Sequence, residues 1–333
     1  MPMEIREQWL ARVSEEILEP TRRIVDPHHH FFVPGGQFPA YDLSDLTTDT
    51  ATHRVEQTVY LQCWEGYRQD GPEELRPVGE TEWVDAIAAR ARQNPQAVQI
   101  GGMMGTTELR LGAKVRPVLE AHCAASKLFR GVRQAAAWDS DEGIMSLPGL
   151  NDGNLYDDPA FRAGFAVLGE MNLVFDAYHY HPQTPALTRL ATAFPEVQIV
   201  LDHLGTPLGV GPYAGRRDEI YREWARDLAA LARCLNVSIK LGGLCMPWNG
   251  FDFEAQVNPP TSDMIVAAQA RYYHYAIEQF GPSRCMFESN FPVDKCVLSY
   301  AVLWNAFKKM ATDFSEADKD QLFRGTATRV YKL

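Results

Sequence analysis

A single (β/α)8 barrel, an α/β fold, is the class the sequence predicts, and three observations predict it. Eight short runs rich in Val, Ile and Phe recur along the 333 residues. Amphipathic stretches with helical spacing lie between them, as a parallel sheet covered by helices requires. No linker or low-complexity segment divides the chain, and eight such units over roughly 300 residues match one closed barrel.

The elements follow in order. Residues 1–23 read as an N-terminal helical extension packed on the barrel, and residues 24–333 as the barrel itself. The first run is IVDPHHHFF from Ile24. TVYLQCW from Thr58, AVQIGGMM from Ala97, FRGVRQAAAW from Phe129 and LVFDAYHYH from Leu173 are the next four. VQIVLDHLG from Val197, NVSIKLGGL from Asn236 and RCMFESNFP from Arg284 complete the eight. Between them, TEWVDAIAARARQ, VRPVLEAHCAAS, PAFRAGFAVLGEM, PALTRLATAF, YREWARDLAALARC and RYYHYAIEQFG repeat apolar residues at three- and four-residue spacing, the mark of one buried helix face. A doubly wound open sheet is the competing architecture. Against it, GGMMG after the third run is too short and wrongly spaced for a dinucleotide-binding turn. Two long connections, Ala135 to Asn172 and Cys245 to Gln269, carry Gly, Pro, Trp and Asn and suit loops at the barrel mouth.

Composition narrows the function. A net charge of −11 argues against nucleic acid and anionic membrane surfaces as partners. No apolar run approaches the ~18 residues of a membrane span. The N-terminal stretch carries acids and no continuous apolar region, so a secretory signal is not expected. Six cysteines without CxxC spacing are expected to be reduced and mostly buried, which points to the cytoplasm. The expected partner is a small-molecule substrate, with the oligomeric state left open, a homo-oligomer included.

The chemistry gathers at the run ends. Side chains alternate along a strand, so Asp26, His28 and His30 are expected on one face and His29 on the other. Two imidazoles at i and i+2 near a barrel rim are placed to ligate one divalent metal. His179 and His181 end the fifth run, His203 tips the sixth, Glu288 and Asn290 share a face of the eighth, and Asp294 lies just beyond. Any one of them also fits a buried structural role. Together they occupy the C-terminal strand ends where barrel enzymes assemble their sites.

DPHHHFF, VLDHLG and RCMFESNFPVDK, with the opening WLARVSEEILEP, resemble the amidohydrolase-2 (amidohydrolase-related) group of the amidohydrolase superfamily over essentially the whole chain. Its sugar-lactone, pyrone-dicarboxylate lactone and muconolactone hydrolases are nearest in pattern. The resemblance implies a distorted barrel hydrolysing lactones, esters or amides at its mouth; some relatives in the wider superfamily decarboxylate aromatic acids. It implies that His28 and His30 are the first-strand metal pair and that His203 activates water or substrate. His181 is the implied fifth-strand metal ligand, with His179 as second choice. Where lactonases of the group read GSDWP this chain reads ESNFP, so Asn290 stands at the expected carboxylate. An amide carries no charge and accepts no proton near neutral pH. Glu288 is the expected replacement, ahead of Asp294. The implied cofactor is a divalent metal, zinc first, with a metal-independent route left open by Asn290.

For the substrate, Arg133 at the rim end of the fourth run is expected to grip a carboxylate through its planar guanidinium. Gln62, Trp138, His179 and Asp294 are further expected contacts. Trp64, Trp138 and Trp248 follow strands two, four and seven and could floor an apolar pocket. The reading is a hydrolase opening the lactone of a small organic molecule, aromatic or carboxylate-bearing. The alternatives are a decarboxylase on the same barrel, or an ester or amide hydrolase.

Overall fold

The computed structural model describes residues 3–36, 38–146 and 153–333. Its strands are β1 (Arg23–His29), β2 (Arg54–Leu61), β3 (Gln99–Gly105), β4 (Phe129–Arg133), β5 (Val174–Ala177), β6 (Ile199–Leu201), β7 (Val237–Leu241) and β8 (Cys285–Phe287). They pair in sequence order, every neighbouring pair parallel. The seam between β8 and β1 closes only at the mouth. There His30 N–H donates to Phe291 O at 2.8 Å and Asn290 N–H to His28 O at 3.0 Å. Lower down, the π-helical turn Gln321–Gly325 packs against both strands. The result is a nearly closed barrel.

The helices are α1 (Glu7–Leu10), α2 (Leu43–Thr50), α3 (Val78–Gln93), α4 (Arg116–Ala125), α5 (Pro159–Glu170), α6 (Thr184–Ala193), α7 (Arg217–Leu231), α8 (Ser262–Phe280), α9 (Tyr300–Met310), α10 (Glu316–Asp320) and α11 (Thr326–Val330). Their starts are set locally. Asp158 accepts from Ala160 and Phe161 at the head of α5, and Ser299 from Val302 at the head of α9; such caps contribute about 1 kcal/mol each. Their apolar faces cover the outside of the strands, as where Phe307 stacks on Phe287 at 4.7 Å.

The inside of the barrel is layered by the two-residue alternation of strands. Val25, Val59, Leu61, Met104, Val174, Val200 and Met286 form an apolar layer, plugged from below by Ala327, Val330 and Tyr331. Burying each large apolar side chain contributes about 1.5–3 kcal/mol. Two residues further along, the same faces turn polar: Asp176 on β5, Asp202 after β6, Lys240 on β7 and Glu288 after β8, all buried. The polar end therefore rests on a buried apolar layer.

Two expectations need correction. Within 1–23 the described residues hold a single four-residue helix, Glu7–Leu10. Distant partners take its polar groups: Trp9 Nε1 donates to Val257 O (2.9 Å), Glu15 accepts from Ser262 N (2.7 Å), and Leu18 N donates to Asn305 (3.0 Å). It is a strap across the barrel rather than a helical extension. On β1, Asp26 does not share a face with His28 and His30. Its carboxylate accepts from Tyr300 Oη of α9 at 3.0 Å, while its neighbour Val25 faces the inner layer. The pairing with β2 slips between Asp26 and His29, at Pro27, which has no N–H for the ladder. That slip turns His28 inward.

Among the described residues no helix is long and apolar enough to cross a membrane, and all six cysteines are free.

Candidate active site

Three imidazoles meet at the mouth, and each is held through Nδ1. His30 Nδ1 lies 2.8 Å from Leu61 O, a carbonyl that can only accept. Nδ1 is therefore the N–H, and Nε2 carries the lone pair. His28 Nδ1 lies 2.7 Å from Glu288 Oε2, and His203 Nδ1 lies 2.8 Å from Glu288 Oε1. The Lys240 ammonium, which can only donate, stands 3.2 Å from the same His28 Nδ1, and Asp202 Oδ1 lies 3.8 Å from it. Burial first, then Lys240 for His28 and Arg133 for His30, pulls both rings well below the usual histidine range. Both are neutral near pH 7, as ligands or acceptors must be.

His28 Nε2 and His30 Nε2 point at one another, 3.2 Å apart. Two such nitrogens repel unless a proton or cation lies between them. Bonds of ~2.05 Å to one tetrahedral zinc would separate them by about 3.1–3.4 Å. The donor set fits a divalent metal. His28, Asp202 and His203 also form a buried group that could hold one. Asp202 has competing partners, with Lys240 Nζ at 3.1 Å and Arg133 Nη1 at 3.6 Å. Burial pushes its pKa up, but Lys240, His203 and Arg133 outweigh burial and hold it below the usual carboxylate range.

Under the histidines lies an ion network. Lys240 Nζ is 2.6 Å from Asp176 Oδ2, and Tyr331 Oη donates to Asp176 Oδ1 at 3.0 Å. Burial raises Asp176 to about 7 despite Lys240. Burial also lowers Lys240, but Asp176, Asp202 and Glu288 together raise it above its ordinary value. It is a fixed ammonium in contact with His28.

Local backbone makes room for this. His203 has φ +54°, the left-handed region a non-glycine residue seldom adopts. A Cβ on Gly243, itself at φ +69°, would lie 2.3 Å from His203 Nδ1, and one on Gly242 2.4 Å from Glu288. The Gly-Gly ending of the seventh run therefore clears space for the Glu288–His203 contact.

Of the residues expected at the site, His28, His30, His203, Glu288, Arg133 and Asn290 are brought together around this mouth. Arg133 Nη2 donates to Gln62 O at 2.5 Å, and Nη1 lies 3.4 Å from His28 Nε2. Gln62 thus takes part through its backbone carbonyl, and its side chain is not among the cavity walls. Asn290, at φ +55°, donates Nδ2–H to Asp294 Oδ1 at 3.0 Å. Burial lifts Asp294 to about 7.

Three residues stand apart. His179 is held at both nitrogens, by Tyr156 Oη (3.2 Å) and Thr184 Oγ1 (3.1 Å). His181 Nδ1 accepts from Leu208 N at 3.3 Å, and its ring packs edge-on against Tyr213. β5 ends at Ala177, so strand alternation no longer aims residues 179 and 181. Trp138 packs over Gly153. Asp176 and Asp202 were not among the expected site residues. Alternation from Val174 and Val200 is the signal that points to them.

Above the histidines opens a cavity whose enclosed part is about 50 Å³. His30, His203, Arg133 and Asn290 line it together with aromatic and Met side chains.

The profile of the family described as Amidohydrolase matches residues 25–333. The chain is 30% identical over 331 residues to the uncharacterized protein y4mH of Sinorhizobium fredii, covering 93% of this chain and 98% of that one. It is 25% identical to an L-fucono-1,5-lactonase of Burkholderia ambifaria, covering 93% and 95%. A crystal structure of an amidohydrolase from Burkholderia multivorans with bound zinc superposes with a TM-score of 0.72 at 22% identity, covering 93% and 99%. With the eight-stranded barrel and a family match running from β1 to the last residue, the chain belongs to the amidohydrolase family.

Proposed function

We propose that the protein hydrolyses the ring ester of a small lactone, with a divalent ion, zinc first, at His28 and His30. The observation that carries this reading is the convergence of His28, His30 and His203 on one point: Nδ1 of His30 and of His203 face fixed acceptors, and the Nε2 atoms of His28 and His30 approach to 3.2 Å. The similarity to an L-fucono-1,5-lactonase and to a zinc-bound amidohydrolase supports it.

The divalent ion would polarise the ester carbonyl and lower the pKa of water towards ~7. His203 Nε2 takes the proton of the attacking water. Glu288 Oε1, on the Nδ1–H of the same ring, fixes the tautomer and stabilises the imidazolium that forms. The proton then passes to the alkoxide released when the ring opens. Arg133 lines the cavity and its buried Nε–H has no acceptor among the described residues. It is a donor for the oxyanion that develops on the carbonyl.

The test is a panel of lactones, linear esters and aromatic acids, with and without chelator, run in ¹⁸O-water. Ring opening with one labelled oxygen, no CO2, and a His203→Ala variant slowed by ~10²–10⁴ are expected. CO2 release without incorporated water, or a His203→Ala variant equal to the parent, contradicts the reading.

A further inference from the structure

The cavity places its polar groups at one end. His30, His203, Arg133 and Asn290 form the floor, and the remaining surface is almost entirely apolar. Phe32 and Phe38 stack at 4.6 Å and 17° as one part of the wall. Tyr178, Met246 and Trp248 supply another. Trp64 borders the opening, 44% exposed and at φ +67°. A bulky side chain held in that conformation is strained, and an exposed indole beside a reaction pocket is placed to meet a ligand. Among the described residues the buried Tyr178 hydroxyl and Trp248 indole N–H have no hydrogen-bond partner, and the indole can only donate.

We infer that the substrate is an apolar, ring-bearing lactone, an aryl-fused or aryl-substituted cyclic ester rather than a polyhydroxylated one; this rests on the lactonase reading above. The ester meets the polar floor, and the hydrocarbon ring lies among Phe32, Trp64 and Trp248, where ring-on-ring contact adds to simple burial. A sugar lactone carries a hydroxyl on most ring carbons, and each must exchange water for a protein partner. Among the described residues these walls supply two, the Tyr178 hydroxyl and the Trp248 indole N–H. One unpaired buried hydroxyl weakens binding by about tenfold or more, so a few of them outweigh the gain from burying the ring. Aromatic rings and thioethers, by contrast, accommodate a flat apolar ligand without asking it for hydrogen bonds.

The test compares dihydrocoumarin, δ-valerolactone and D-glucono-1,5-lactone, which share a six-membered lactone ring. The purified full chain is assayed as isolated and with added zinc, each kcat/KM divided by the spontaneous hydrolysis rate. Calorimetric binding of 3,4-dihydroquinolin-2-one, the slowly hydrolysed lactam of the first compound, is measured alongside. Dihydrocoumarin is expected to exceed gluconolactone by at least ~100-fold, and the lactam to bind. Trp248→Ala is expected to narrow that ratio by about tenfold. Equal or better turnover of gluconolactone overturns the substrate class while lactone hydrolysis stands. Lactam binding with no lactone hydrolysed supports the ring pocket and removes the lactonase reading. Neither binding nor hydrolysis overturns both.

Discussion

Glu288 grips His28 and His203 at once, Oε2 2.7 Å from one Nδ1 and Oε1 2.8 Å from the other. One carboxylate thereby accepts from the His203 ring and braces the His28 ring beside it. Glu288→Gln keeps the shape but turns an NH2 towards one ring N–H, so one imidazole must rotate or change tautomer. Outer partners of this kind are typically worth 10–100-fold. The variant is expected to lose about 100-fold in kcat and most of its bound zinc, read by steady-state kinetics and elemental analysis. Parent-like values of both would separate Glu288 from the site chemistry.

The Lys240 ammonium neutralises two buried acids, at 2.6 Å from Asp176 and 3.1 Å from Asp202. Lys240→Met leaves both without their main cation, and breaking a buried pair in this way costs about 3–5 kcal/mol. Adding Asp176→Asn removes one orphaned charge and is expected to recover part of the loss. Urea unfolding of the two variants checks this. A double variant no more stable than Lys240→Met would mean the charges are not coupled.

Glu80 gives the pH dependence of stability a distinct contribution. Its Oε1 accepts from Tyr60 Oη and Cys63 N, both at 2.7 Å, yet burial raises its pKa to about 7. The folded value lies above the unfolded one of ~4.3, so its stabilising contribution is fully present below that value and is lost as pH rises through about 7. Glu80→Gln removes the titration and retains an acceptor. Between pH 4.5 and 8 the parent is expected to lose ~3 kcal/mol relative to the variant. Parallel stability curves for the two proteins would contradict this.

Asn290 hydrogen-bonds Asp294 Oδ1 at 3.0 Å on the cavity floor. Asn290→Asp replaces that bond with a second carboxylate, and the pair then favours a cation. Zinc affinity is expected to rise about tenfold at pH 8, measured by chelator competition. An unchanged dissociation constant would place Asn290 outside reach of the ion.

Much of the fold was legible because barrel strands are near-continuous apolar runs, and each of the eight runs overlaps a strand. The helical reading of residues 1–23 missed because tertiary hydrogen bonds compete with local helix, as at Leu18 and Trp9. His28 and His30 do face inward together, but through a slip at Pro27 that strict alternation does not foresee. Asp176 and Asp202 lie one two-residue step beyond Val174 and Val200, a signal masked by the histidines beside them. His179 and His181 lie past the end of β5, where side-chain direction depends on loop geometry and not on a repeat.

The most direct test is anomalous diffraction at the zinc edge from crystals of the zinc-loaded protein. One peak is expected ~2.0–2.1 Å from Nε2 of both His28 and His30, lost in His28→Ala and in His30→Ala. Zinc bound elsewhere with these two nitrogens hydrogen-bonded to protein groups, or a His203 ring turned away from the cavity, would contradict it.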